Sequence, residues 1–246
     1  MIDVSPAVLC ELAPGGRLRV GINFANPLLT ARDPVTRAPS GIALDLAWEL
    51  GRRLGVPVDI IAHESAGELA ESAGKGAWEV GFLAAEPQRA NEISFTAAYL
   101  EIEATYLVPP GSPLTAIAAV DREGVRIMVR SKAAYDLYLT RTLRRASLSR
   151  APGAEAFKAF VAGKYDALAG LRAELVRDAE RIPGARVLDG RFTAVQQAVG
   201  TPRGRDAGAR YLCEYVEDIK ASGLVARVIA DNKVRGVSVA APASAG

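Results

Sequence analysis

Gly16-Arg17-Leu18-Arg19-Val20-Gly21-Ile22-Asn23 is the stretch whose reading decides the fold. Its apolar centre, set between glycines, reads as a buried strand over 18–22. A regular alternation follows. Gly41-Ile42-Ala43-Leu44-Asp45-Leu46 opens a helix over 42–54, where Ala43, Ala47, Leu50 and Leu54 form one stripe and Gly55 is placed to end it. A second strand is expected over 58–62. Ser65-Ala66-Gly67-Glu68 has the spacing of a capping box, so a short helix begins there. Trp78-Glu79-Val80-Gly81-Phe82 leads into a third strand over 80–84. A longer strand over 102–108 ends at Pro109-Pro110-Gly111.

The second half repeats the pattern. A strand is expected over 125–129, with Ser131 as N-cap of a helix running to about Arg145. Residues 156–162 read as a helix stopped by Gly163, residues 166–169 as the next strand and 193–199 as a return strand. Ala209, Leu212, Val216 and Ile219 line one face of a long helix, and Leu224, Val225, Val228 and Ile229 line a shorter one. The small, uncharged residues 240–246 are expected to fray. Trp48 and Trp78 are expected in the core. Strand–helix alternation implies largely parallel sheets covered on both faces, with ligands beyond the carboxyl ends of the strands. That places the loops 23–26, 83–86 and 131–134 on functional ends, two from one sheet and one from another.

The chain has 246 residues, half of them hydrophobic and 24% charged, with net charge +2. That charge is too small for bulk attraction to nucleic acid or membrane. The basic run Arg141, Arg144, Arg145 and Arg150 lacks interleaved aromatics and reads as a solvated helix face. Cys10 and Cys213 show no metal-ligand spacing, and the lone His63 reads as a loop or surface residue. No run of 18 apolar residues spans a membrane. The start, Met1-Ile2-Asp3-Val4-Ser5-Pro6, lacks the basic and apolar segments of a signal peptide, and Val8-Leu9-Cys10 stands without the flanks of a lipoprotein cleavage site.

Those strand and helix starts, together with Glu86-Pro87-Gln88-Arg89-Ala90 and Phe95-Thr96-Ala97-Ala98-Tyr99, resemble in order and spacing the type II periplasmic solute-binding proteins. The branch is family 3, which binds amino acids for ABC importers. The resemblance runs from about Gly16 to Gly236. It implies an α/β, two-lobed fold: two mixed sheets flanked by helices, with hinge crossings at 99–104 and 191–193. Lobe 1 would hold residues 1–101 and 194–246, and lobe 2 residues 104–190.

The resemblance also implies a site. Arg89 falls where the family's arginine clamps the ligand carboxylate, a task a planar guanidinium fork performs better than an ammonium. Asn23, Phe24 and Asn26 occupy the loop that supplies side-chain contacts, where the family commonly has an acid first and an aromatic third. Asn23 as a plain turn residue is the alternative. Leu83, Ala84, Ala85 and Glu86 replace a Ser/Thr-rich stretch, leaving backbone N–H groups as donors. Glu86 is read either as a ligand contact or as the cap of a helix starting at Pro87. Ser131, Lys132, Ala133, Ala134 and Tyr135 align with the family's anion-binding turn, where a helix N-terminus offers N–H groups to a carboxylate. Lys132 is otherwise a solvated lysine. Leu171 stands where the family keeps an aspartate for the ligand ammonium, so either Glu86 or Glu103 has taken over or the ligand has no ammonium. One of Gln196 and Gln197 faces the cleft.

The expected function is capture of a small carboxylate, an organic acid or small neutral amino acid, by a monomer serving an ABC permease. No catalytic residue, metal or cofactor is expected. A cytoplasmic ligand sensor of the same fold is the rival, and a lyase or dehydratase built on it the more remote one. Location follows the same fork: periplasmic by resemblance, or cytoplasmic for want of a signal peptide.

Overall fold

The structure is a computed structural model and describes residues 3–243. The chain forms two compact units, residues 1–101 with 196–246, and residues 102–195.

The first unit begins with α1 (Pro6–Leu12), capped by the Ser5 hydroxyl accepting the Val8 N–H. Seven residues are too few for a helical period to show, and the sequence reading passed over it. β1 (Leu18–Asn23) follows, then a small hairpin of β2 (Ala31–Arg32) and β3 (Pro39–Ser40). α2 (Ile42–Leu54) buries the stripe read from its sequence and ends at Gly55 in the left-handed region, φ 71°. β4 (Val58–His63), α3 (Ala66–Glu71) and β5 (Val80–Ala84) complete the parallel core, with β1 paired to β4 on one side and β5 on the other. Ser65 caps α3 by accepting the Glu68 N–H at 3.0 Å, while the Glu68 carboxylate returns to the Glu64 N–H instead of to Ser65.

Gly21 sits where α3 and Trp78 press on β1. A Cβ there would lie 2.5 Å from Leu69 Cδ1 and 3.0 Å from the Trp78 ring. Gly21→Ala should therefore destabilise the protein by about 1–3 kcal/mol, read as a lower urea midpoint with unchanged slope.

β6 (Ile93–Val108) is one continuous strand of 16 residues, passing from the first unit into the second. It starts at Ile93 and not at 102, because the alanines at 97 and 98 hide the strand pattern in the sequence.

In the second unit β7 (Arg126–Arg130), α4 (Ala134–Thr142), β8 (Ser147–Ala151), α5 (Glu155–Ala159), β9 (Ala167–Leu171), α6 (Arg172–Glu180) and β10 (Arg186–Val187) follow. β7 lies between β8 and β9, all parallel, and β6 closes the set antiparallel to β9. The core packs Leu107, Met128, Phe160, Leu168 and Leu175 under α5 and α6. α5 runs into a wide turn that ends near Gly163, φ 77°.

The helix expected through Arg145 stops at Thr142. The Asp121 carboxylate accepts the N–H groups of Arg144 (3.0 Å), Arg145 (2.8 Å) and Ala146 (2.9 Å), offering the backbone an alternative to helix. These bonds hold the Asp121 carboxyl below its usual range. The basic run is thus split between a helix end, a turn and β8.

The chain re-enters the first unit along β11 (Thr193–Pro202), which lies between β5 and β6, and ends with α7 (Asp206–Ala221), α8 (Leu224–Asp231) and β12 (Val237–Val239). Of the expected frayed tail, Ala240 is buried and donates its N–H to Tyr99, while residues 244–246 lie outside the described residues.

Two core assignments reverse. Trp48 is 43% exposed, because position 48 falls off the 43/47/50/54 stripe. His63 is buried at the end of β4, with Nε2 3.0 Å from Ser72 Oγ and Nδ1 3.1 Å from the Ile61 carbonyl. The same Ser72 hydroxyl accepts the Trp78 indole N–H at 2.9 Å, so Trp78 is the core aromatic it was read to be. At the opposite end of the sheet the fully buried Glu79 accepts from Arg19 through its backbone N–H and guanidinium, with Arg205 3.8 Å away.

Candidate functional site

The carboxyl ends of β1 and β5 carry the first group of candidate residues. Asn23 Oδ1 accepts the Ala25 N–H at 2.9 Å, and Asn26 Oδ1 accepts the Leu28 N–H at 3.1 Å. Both side chains thus build the loop. Thr30 braces it further by donating to the Asn26 carbonyl at 3.0 Å. The Phe24 N–H is tied to the His63 carbonyl, and its ring is covered by the Arg32 guanidinium at 4.2 Å. Arg32 also contacts Glu64 at 3.3 Å. Sequence reasoning missed Arg32, since only the β2–β3 hairpin brings it onto Phe24.

After β5 the loop turns sharply. Leu83 packs with Leu69, Ala73, Trp78 and Ile93, so its side chain belongs to the core. The Ala85 N–H donates to the Gln196 carbonyl at 2.9 Å. The Glu86 carbonyl accepts from Arg89 and Ala90, closing a single 3₁₀ turn over Arg89–Asn91. The helix expected from Pro87 is absent: the turn closes on the backbone of Glu86 and ends after one round.

Arg89 is 5% exposed, and its Nη1 donates to the Ala84 carbonyl at 2.8 Å. Burial pushes its guanidinium down to about 10, with Glu86 acting in the opposite sense. It therefore stays charged at neutral pH. Gln196 donates to Glu101 at 3.0 Å, and Gln197 is buried.

In the second unit the loop after β7 carries the other group. The Ser131 N–H donates to the Ala151 carbonyl, and Lys132 takes the left-handed conformation at φ 58°. Ser131 is not the N-cap of α4; Ala133 is. The capping function has moved into the helix: the Asp136 carboxylate accepts the Lys132 N–H at 2.8 Å and the Arg150 guanidinium at 2.9 Å. An acid in the first turn suits the helix dipole and needs no hydroxyl ahead of it. Ala134 and Tyr135 are both buried.

At the end of β9, Leu171 is buried, pairs with Ala104 and precedes α6. Glu103, next to Ala104 on β6, accepts Arg172 Nε at 2.7 Å, with Arg191 3.7 Å away. Of the two acids named as ammonium partners, Glu103 is thus committed to arginine. Among the described residues no group of His, Cys, Asp and Glu is arranged to hold a metal ion, and both cysteines are free and exposed. No helix of the described residues is long and apolar enough to cross a membrane.

The model of the bacterial extracellular solute-binding proteins, family 3, matches residues 18–231. No curated protein matches the chain. Among solved structures, the chain resembles the solute receptor for L-cysteine of Neisseria gonorrhoeae, with TM-score 0.77 and 20% identity over 94% of this chain and 96% of that one. An amino acid ABC transporter substrate-binding protein from Streptococcus pneumoniae, bound to L-arginine, superposes with TM-score 0.74 and 17% identity over 96% and 100%. An ancestral amino acid-binding protein, a precursor of cyclohexadienyl dehydratase, gives 0.74 and 19% over 91% and 97%. The shared fold is that of the two-lobed type II periplasmic binding proteins.

Proposed function

From a chain that belongs to the bacterial extracellular solute-binding proteins, family 3, we propose a binding protein for an ABC-type importer whose ligand is a small carboxylate, an organic acid or a small neutral amino acid. The observation that carries the reading is Arg89: a buried, charged guanidinium at the carboxyl end of β5, braced by a backbone carbonyl. In the second unit, the loop from Ser131 to Tyr135 is the proposed counterpart.

The candidate residues of each unit argue against a cationic ligand. In the first unit the face of Phe24 is occupied by the chain's own Arg32. In the second, Leu171 brings no charge and Glu103 is paired with Arg172. A ligand ammonium held by these residues would lose hydration without gaining a partner. Removing Arg32 frees the Phe24 ring for a ligand cation, an interaction worth about 0.5–1 kcal/mol at an exposed site. Arg32→Ala should accordingly raise the affinity for lysine or arginine about two- to fivefold by calorimetry, while leaving that for a small neutral acid unchanged.

The reading as a whole is tested by thermal shift against a panel of organic and amino acids. A ligand present at about 100 times its dissociation constant adds about 2.7 kcal/mol of stability. A panel in which no carboxylate raises the melting temperature refutes the proposal.

A further inference from the structure

Arg172 opens α6 directly after Leu171, the last residue of β9. Its guanidinium is held by three acceptors from two other segments. Nε donates to the Glu103 carboxylate at 2.7 Å, and Nη2 donates to the carbonyls of Leu188 (3.3 Å) and Gly190.

The two carbonyls are set by a bulge in the segment that returns along β6. The Leu188 N–H donates to the Tyr106 carbonyl, and the Phe192 N–H to that of Ala104. Between those partners β6 has only Thr105, whereas the returning segment has Asp189, Gly190 and Arg191. Extra residues on one strand of an antiparallel pair leave the ladder and bend it. Gly190 permits the bend, with φ 75°. The fully buried Thr105 donates its hydroxyl to the Leu188 carbonyl at 3.1 Å and so fixes one of the acceptors. None of these bonds involves Arg172. A carboxylate and two carbonyls converging in this way form a seat for a planar cation with several donors. The Glu103 side chain is 45% exposed, so the seat opens to solvent. It lies past the carboxyl end of β9, the end at which such sheets take ligands.

Building on the import reading, we propose that Arg172 determines specificity by filling this seat: its guanidinium is the tethered occupant of a place that a ligand guanidinium could otherwise take. A guanidinium fits better than an ammonium, because its flat fork reaches the carboxylate with one N–H and the carbonyls with another. Specificity is a difference between affinities, and a protein gains it by denying a competitor its partners as well as by favouring another ligand. With Arg172 in place, a cationic ligand finds Glu103 already paired. Arg191, 3.7 Å from the other carboxylate oxygen, adds further positive charge.

The test begins with amide NMR on the full chain carrying Arg172→Ala, titrated with millimolar methylguanidinium, which reads the seat alone. The amides of 103, 105 and 188–191 should shift in this variant and stay still in the unaltered chain. Adding Glu103→Gln should weaken the uptake at least tenfold. Calorimetry then reads specificity. Arg172→Ala should bind L-arginine at least tenfold tighter than the unaltered chain does, with L-alanine unchanged. Arg172→Lys keeps a cation in the seat and should gain nothing. Arg172→Ser carries the same expectations as the alanine variant should that one not fold. A role limited to pinning α6 lowers stability but produces neither gain. The proposal is overturned if methylguanidinium leaves these amides unmoved, or if the affinity for L-arginine does not rise. Failure of the import reading looks different: methylguanidinium and L-arginine enter the emptied seat, yet no carboxylate binds the unaltered chain.

Discussion

Arg89→Ala is expected to weaken the best ligand by about 30-fold or more. The guanidinium is buried and stays charged at neutral pH, so a ligand carboxylate meeting it forms a desolvated pair. Truncating one partner of such a pair typically costs about 2–5 kcal/mol. Arg89→Lys should not restore binding, because a point charge cannot reproduce a bidentate contact or keep the bond to the Ala84 carbonyl in the same geometry. The fold should survive both changes, since the loop also rests on backbone bonds from Arg89 and Ala90 to Glu86 and from Ala85 to Gln196. Calorimetry with circular dichroism on the same samples checks the two halves of this expectation. Unchanged affinity in a folded Arg89→Ala protein removes Arg89 from the site.

The largest effect on stability is expected far from the site, at Glu79. This carboxylate is fully buried at the start of β5 and holds Arg19 through three donors, one of them the Arg19 backbone N–H at 3.2 Å. Arg205 completes the cluster at 3.8 Å. Breaking a buried ion pair from one side usually costs 3–5 kcal/mol. Here the arginine side chains are 41% and 23% exposed, so the stranded cations retain part of their hydration. Glu79→Ala should therefore fall at the lower end, about 3 kcal/mol, which lowers the melting temperature by roughly 6–12 °C in a chain of this size. A loss under about 1 kcal/mol, the range of exposed pairs, would show that the cluster is solvated after all.

What the sequence disclosed was governed by how densely each element is buried. β1, β5 and α2 were legible because nearly every apolar residue in them points into the core and glycines stand at their ends. β8, Ser147-Leu148-Ser149-Arg150-Ala151, has no buried residue, and α6 buries only Leu175, so neither left a period to read. The candidate loops were found through strand ends, which the pattern marks well. The roles of single side chains in them were not. Ser131 looked like a cap, but Asp136, five residues on, supplies the carboxylate, and only the folded loop shows that Lys132 turns left-handed to meet it. Arg32 on Phe24 and Arg172 on Glu103 are long-range pairings that no local spacing encodes. Leu171, which the family resemblance sets where an acid is usual, is buried at the end of β9.

The most direct test of the import reading is a calorimetric competition series that compares each amino acid with its deaminated analogue. The buried Arg89, the Arg32-covered Phe24 and the uncharged Leu171 together predict that small neutral or anionic carboxylates bind, that the hydroxy or keto acid binds at least as well as its amino counterpart, and that arginine, lysine and ornithine bind poorly. Tight binding of lysine or arginine, with the matched acids ignored, would contradict it.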